Sequence, residues 1–263
     1  MRLALRCLTV LPALLTFRAA QAQEIRVAAA ADLKFALDEL AAQYEKQKGR
    51  KVDISYGSSG NFFAQIQNGA PFDMFFSADI EYPRKLEATR LAEPGTLYEY
   101  AVGRIVIWMP RESRADLANL GWKALLDPSV EKIAIANPEH APYGRAAVSA
   151  LRNTGIYEQV RAKLVYGENI AQAAQFVASG NAQAGILALS LAVSPPMREG
   201  KRWEIPSTMY APIEQAAVIL KSAKDKEGAR DFLAFLKSGA GQRILESYGF
   251  TLLASGSAGA QRQ

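Results

Sequence analysis

The stretch Glu24-Ile25-Arg26-Val27-Ala28-Ala29-Ala30-Ala31-Asp32-Leu33 decides the fold. Glu24–Ala29 has the apolar run of a buried strand. From Leu33 the period changes, and Leu33, Leu37, Leu40 and Tyr44 recur at helical spacing until Gly49. Lys51–Tyr56 alternates like a strand, Phe62–Asn68 fits a short helix stopped by Gly69, and Asp73–Phe76 is a third strand. This β-α-β-α-β order predicts a largely parallel sheet with helices on both faces. The same order resumes downstream. Strands are expected at Arg104–Met109, Lys132–Ile135, Ala184–Leu187 and Glu214–Leu220. Helices are expected at Arg145–Thr154, Asn169–Ser179, Lys224–Lys237 and Gly241–Tyr248.

The flanks set the compartment. Arg2 and Arg6 precede a short apolar stretch from Cys7 to Phe17, and Ala20-Gln21-Ala22 is a small-x-small cleavage site. Residues 1–22 therefore carry the features of a cleavable signal peptide, which implies export to the periplasm. That segment holds the single cysteine, so the mature chain is expected to lack disulfides and thiolate chemistry. It also holds three arginines and no acidic residue, so its removal lowers the net charge from +5 to +2. The remaining Lys and Arg are interleaved with acids, which argues against a nucleic-acid surface. Residues 256–263 are rich in Gly, Ala and Gln and are expected to form a flexible tail.

Two lobes are expected, one from residues 23–100 plus 213–255 and the other from 101–212. The chain would cross between them near Tyr98–Gly103 and Thr208–Ile213. In open α/β sheets ligands bind beyond the carboxyl ends of strands. Helix N-termini there offer unpaired N–H groups and a partial positive charge, which suit an anion. Four turns have that character. They are Ala28–Asp32, with Asp32 placed to cap its helix, the hydroxyl-bearing Gly57-Ser58-Ser59-Gly60-Asn61, the proline-fixed Asn137–Gly144, and Glu168–Gln172 with Asn169 and Gln172 spaced as a capping box. The single histidine, His140, is expected to face solvent. Without a nucleophile elbow or a His cluster, hydrolase and metal-enzyme chemistry find no support.

Taken in order, several segments resemble the molybdate-binding periplasmic protein family. They are Val27–Leu33, Ser58-Ser59-Gly60, Gly69-Ala70-Pro71-Phe72-Asp73, Phe76-Ser77-Ala78-Asp79, Asn137–Gly144 and Tyr248-Gly249-Phe250. The resemblance covers nearly the whole mature chain. It implies the two-lobed type II periplasmic binding fold, each lobe a mainly parallel sheet flanked by helices, with a hinge between them. It implies a non-enzymatic capture protein, working as a monomer with the membrane permease of an ABC importer. It implies molybdate or tungstate as ligand and no cofactor. Ser59 would donate its hydroxyl and N–H, and Ser58 is a second hydroxyl. Ala31 and Asp32 would supply contacts at the first turn, and Tyr143 and Ile170 would give backbone N–H groups. No residue would ligate a metal ion directly; Ser59, Tyr143 and Ile170 would hold the oxyanion by its oxygens. Many relatives carry a donor serine where this chain has Asp32, and an ionised carboxylate donates nothing and repels a dianion. Asp32 would either cap its own helix or accept a proton from the ligand. The second option points to a phosphate-like anion, which carries a proton, whereas molybdate, tungstate and sulfate are fully deprotonated at neutral pH. Sulfate remains an alternative ligand of the same tetrahedral shape, and an exported enzyme is the more distant alternative.

Overall fold

The computed structural model describes residues 24–253. The expected signal peptide and the tail at 256–263 lie outside the described residues. Strands are β1 (Ile25–Ala30), β2 (Val52–Gly57), β3 (Met74–Ser77), β4 (Tyr98–Gly103), β5 (Ile105–Met109), β6 (Ile133–Ala136), β7 (Leu164–Gly167), β8 (Ala184–Ala188), β9 (Lys201–Glu204) and β10 (Ile213–Ile219). Helices are α1 (Lys34–Lys48), α2 (Ser59–Gln67), α3 (Glu81–Ala88), α4 (Leu117–Leu120), α5 (Pro142–Asn153), α6 (Tyr157–Val160), α7 (Ile170–Ala178), α8 (Leu189–Ala192), α9 (Lys226–Lys237) and α10 (Gly239–Ser247).

Two five-stranded sheets result, ordered β2-β1-β3-β10-β4 and β7-β6-β8-β5-β9. In the first, β10 is antiparallel to both neighbours; in the second, β5 is. The other four strands of each sheet point one way. Each reversed strand is the one whose chain has just arrived from the other sheet, so the crossings explain the exceptions. The first crossing falls at Arg104, later than the expected 100/101 boundary. Ala101–Gly103 stay paired with Ile213–Gln215 in the first sheet, and Val102 also bridges Thr251. The second crossing runs through Ala211 and Pro212 into β10.

Side-chain alternation builds the first sheet's two faces. Phe76 points to the layer of α1 and α9, against Leu37, Leu40, Tyr44 and Phe232. Its neighbour Phe75 points the other way, to Phe62, Ile66 and Leu86 of α2 and α3. Phe232 is fully buried and stacks edge-on against Tyr44 at 5.0 Å, a burial that contributes on the order of 2–3 kcal/mol. In the second sheet every residue of β5, β6 and β8 is buried between helices. The co-directional β1, β2, β3 and β6, β7, β8 bring their carboxyl ends, and the turns after them, to the cleft between the sheets.

Candidate functional site

All four turns meet at one small, tightly lined cavity. The first sheet supplies Ala30, Ala31 and Asp32 after β1, Gly57, Ser58 and Ser59 after β2, and Ala78 after β3. The second supplies Ala141, Pro142 and Tyr143 after β6, and Ile170 after β7. The structure thus brings Ala31, Asp32, Ser58, Ser59, Tyr143 and Ile170 together around a common space.

Local chemistry leaves donors unused at each helix start. The first N–H groups of a helix have no partner within it. At α7 the Asn169 side chain accepts from the Ala171 and Gln172 N–H groups, both at 3.0 Å, and the Gln172 side chain accepts from Glu168 N–H. The cap leaves Ile170 N–H over. At α5, Pro142 brings no N–H, and Gly144 and Arg145 donate to Ala141 O, which leaves Tyr143 N–H. At α2, Gly60 donates to His140 O at 3.0 Å, while Ser58 makes no side-chain cap. The Ser59 hydroxyl accepts from Ala78 N–H at 3.0 Å, so its proton is free to be donated. The Ser58 hydroxyl is buried without a partner.

Asp32 departs from its expected capping role. Ala31–Leu33 forms a 3-10 turn, so α1 begins at Lys34 and its N-cap is Leu33, itself helical. An N-cap side chain needs an extended backbone to reach back to the first turn, and Asp32 sits inside the turn instead. Its Oδ2 accepts from the Tyr143 hydroxyl at 2.9 Å and from Gln215 Nε2 at 2.6 Å. Gln215 also donates to the Tyr143 oxygen at 3.0 Å and accepts from the Tyr100 hydroxyl at 2.9 Å. Ser190 donates to the Asp32 carbonyl at 2.7 Å. Asp32 Oδ1 is buried and has no partner. Burial raises the Asp32 carboxyl to about 6 against the hydrogen bonds from Gln215, Tyr143 and its own backbone N–H, which favour the ionised form. Burial beside Asp32 keeps the Tyr143 phenol well above its ordinary value, so it stays a donor. Gly103 makes the contact possible, since a Cβ there would collide with the Tyr143 hydroxyl.

Three more contacts span the cleft. They are Gly60 N–H to His140 O, Asn61 Nδ2 to Glu168 Oε1 at 3.4 Å, and an ion pair between Arg145 and Asp79 at 2.5 Å. His140, expected to face solvent, is half-buried because its carbonyl closes on α2. Sequence reasoning missed Gln215, Tyr100, Ser190 and the Tyr143 side chain. The partners of Asp32 lie 111 and 183 residues away, so no local pattern marks them.

Comparison with known proteins agrees with this architecture. Residues 25–251 match the family described as bacterial extracellular solute-binding protein. The chain is 41% identical over 235 residues to the molybdate-binding protein ModA of Azotobacter vinelandii, covering 89% of this chain and 92% of that one. It is 38% identical to the Rhodobacter capsulatus molybdate-binding protein, covering 88% and 89%. The solved Azotobacter vinelandii periplasmic molybdate-binding protein superposes with a TM-score of 0.82 at 36% identity, over 88% of this chain and 100% of that one. On a match that spans both sheets and all four turns, the chain belongs to the bacterial extracellular solute-binding proteins, in the branch of the molybdate-binding proteins.

Proposed function

We propose that this protein is the periplasmic capture component of an ABC importer, and that it binds molybdate, with tungstate as a second ligand, in the cavity between the sheets. One observation carries the reading. Ser59, Tyr143 and Ile170, each in the first turn of a helix where N–H groups lack helical partners, line the cavity together with no cationic side chain among the lining residues. Such a set suits a small, fully deprotonated tetrahedral anion, because helix N-termini favour negative charge and neutral donors can surround every oxygen. The ligand named for the relatives supports molybdate.

Binding would be coupled to closure of lobe one (residues 23–100 and 213–255) on lobe two (101–212). Donors from both lobes reach the anion only when the cleft is shut, and that differential affinity is what shifts the equilibrium. Each hydrogen bond to the charged ligand contributes about 1.5–3 kcal/mol. Five or six of them, less association and closure costs, leave roughly −8 to −12 kcal/mol, which is micromolar to nanomolar affinity. The closed protein would then deliver its anion, as a monomer, to the permease. Among the described residues no helix is long and apolar enough to cross a membrane, which accords with capture in the periplasm.

The buried, unpartnered Asp32 Oδ1 favours a second reading, a protonated anion such as hydrogen phosphate. Calorimetric titration of dialysed protein with molybdate, tungstate, sulfate and phosphate separates the two. Molybdate and tungstate heats without sulfate or phosphate heats support the proposal, and phosphate binding alone replaces it with the second reading.

A further inference from the structure

Two buried polar atoms at the cavity lack partners, and they differ in kind. The Ser58 hydroxyl has no acceptor, and Asp32 Oδ1 has no donor. Both residues line the cavity and are all but inaccessible, 4% and 1% exposed. A guest that satisfies both must offer oxygen acceptors and a proton. A fully deprotonated dianion has the oxygens but no proton, so against Oδ1 it would set acceptor to acceptor and charge to charge. We infer that Asp32 is the specificity-determining residue of the site and binds a dianion as the neutral carboxylic acid, one proton entering the cleft with each anion.

The surroundings of Asp32 leave it as the group that changes state. Tyr143 on α5 and Tyr100 on β4 are held well above their ordinary values by burial and keep their protons. Gln215 on β10, Ser190 on α8 and Ser58 and Ser59 on α2 do not titrate here. Lys34, on the next turn, is taken up by Asp38 at 3.0 Å. No cation pairs with Asp32 among the described residues. In the shut cleft without a ligand the carboxyl titrates near 6, and opening relieves the burial that raises it, so at pH 7.5 it is ionised in both states until an anion is bound. The step balances simply. A proton from water or buffer joins Asp32 Oδ1, and the resulting O–H donates to an anion oxygen. An anion that already carries a proton would donate it to Oδ1 and draw none from solvent.

This inference rests on the oxyanion reading above, and one experiment keeps the two apart. Molybdate is titrated calorimetrically into the full protein at pH 7.5 in buffers of different ionisation enthalpy. The slope of apparent heat against buffer enthalpy counts protons taken up. About one proton per molybdate is expected, falling to near zero in Asp32→Asn. A second measurement needs no variant: the apparent Kd for molybdate should rise about tenfold per pH unit above pH 6. Molybdate binding with no proton uptake and a flat pH profile overturns the inference and leaves the oxyanion reading standing. Uptake that persists in Asp32→Asn also overturns it. Absence of molybdate binding in every buffer overturns the oxyanion reading and this inference together.

Discussion

Gly60→Ala separates closure from folding. Gly60 lies in the first turn of α2 with a φ outside the left-handed region, so its own backbone accepts alanine. An added Cβ would stand 2.7 Å from the His140 carbonyl oxygen and 3.0 Å from His140 Cβ and Tyr82 Oη. Unstrained contact begins near 3.5 Å, so α2 and the His140 loop must part by roughly 0.5–0.8 Å. The Gly60 N–H to His140 O hydrogen bond then lengthens or breaks. Overpacking of this size costs about 1–3 kcal/mol, and the cost falls on the closed cleft alone. The open protein gains up to about 1 kcal/mol from alanine's better helix propensity. At about 1.4 kcal/mol per tenfold, molybdate affinity should fall roughly 5- to 150-fold, while the ligand-free protein melts at the same temperature or slightly higher. Calorimetry gives the affinity and differential scanning calorimetry without ligand gives the stability. Unchanged affinity would refute the reasoning, because the Gly60–His140 approach would then play no part in the bound state.

Other perturbations read the same cleft. Ser59→Ala removes both the hydroxyl offered to the anion and the acceptor of Ala78 N–H, so molybdate affinity measured by calorimetry should weaken about 10- to 150-fold. Tyr143→Phe deletes one of two donors to Asp32 Oδ2. The loss should be about 1.5–3 kcal/mol of denaturant-measured stability at pH 8, where Asp32 is ionised, and distinctly less at pH 5. Asp32 itself gives a signed pH effect. Its folded value, about 6, lies above the ordinary 3.8, so the folded state holds the extra proton between those values. Its contribution is fully present below pH 4, declines as pH rises to 6, and amounts to about 3 kcal/mol. Urea unfolding of wild type and Asp32→Asn should therefore show the variant gaining on wild type by about that amount between pH 4 and pH 7, and a constant difference would contradict it. Asp79→Asn breaks a partly exposed ion pair with Arg145, so stability should change by no more than about 1 kcal/mol, readable in the same unfolding curves.

What the sequence made legible was whatever depends on near neighbours. The strand and helix of residues 25–48 follow from a change of period, and the four turns follow from glycine, serine, proline and cap residues at helix starts. Asn169 shows its cap in the sequence because Gln172 stands three residues on. Strands paired to remote partners were hidden. Tyr98–Gly103 resembled a connection, yet it is held in the first sheet by β10, more than a hundred residues away. Lys201–Glu204 is a mostly exposed edge strand whose charged residues carry no strand signal. Asp32 shows the same limit at the site. An aspartate just before a helix fits a cap by every local rule, and only the arrival of Tyr143 and Gln215 from distant segments turns its carboxylate across the cleft. Gly103, which makes room for that meeting, has no local feature that predicts it.

The most direct test of the central claim is a crystal structure of the protein grown with molybdate, with anomalous diffraction data that locate molybdenum. The account predicts one strong peak between the two sheets, with anion oxygens in hydrogen-bond reach of the N–H groups of Ser59, Tyr143 and Ile170 and of the Ser59 hydroxyl. A peak elsewhere, or an anion-filled cleft in which those donors point away, would contradict it.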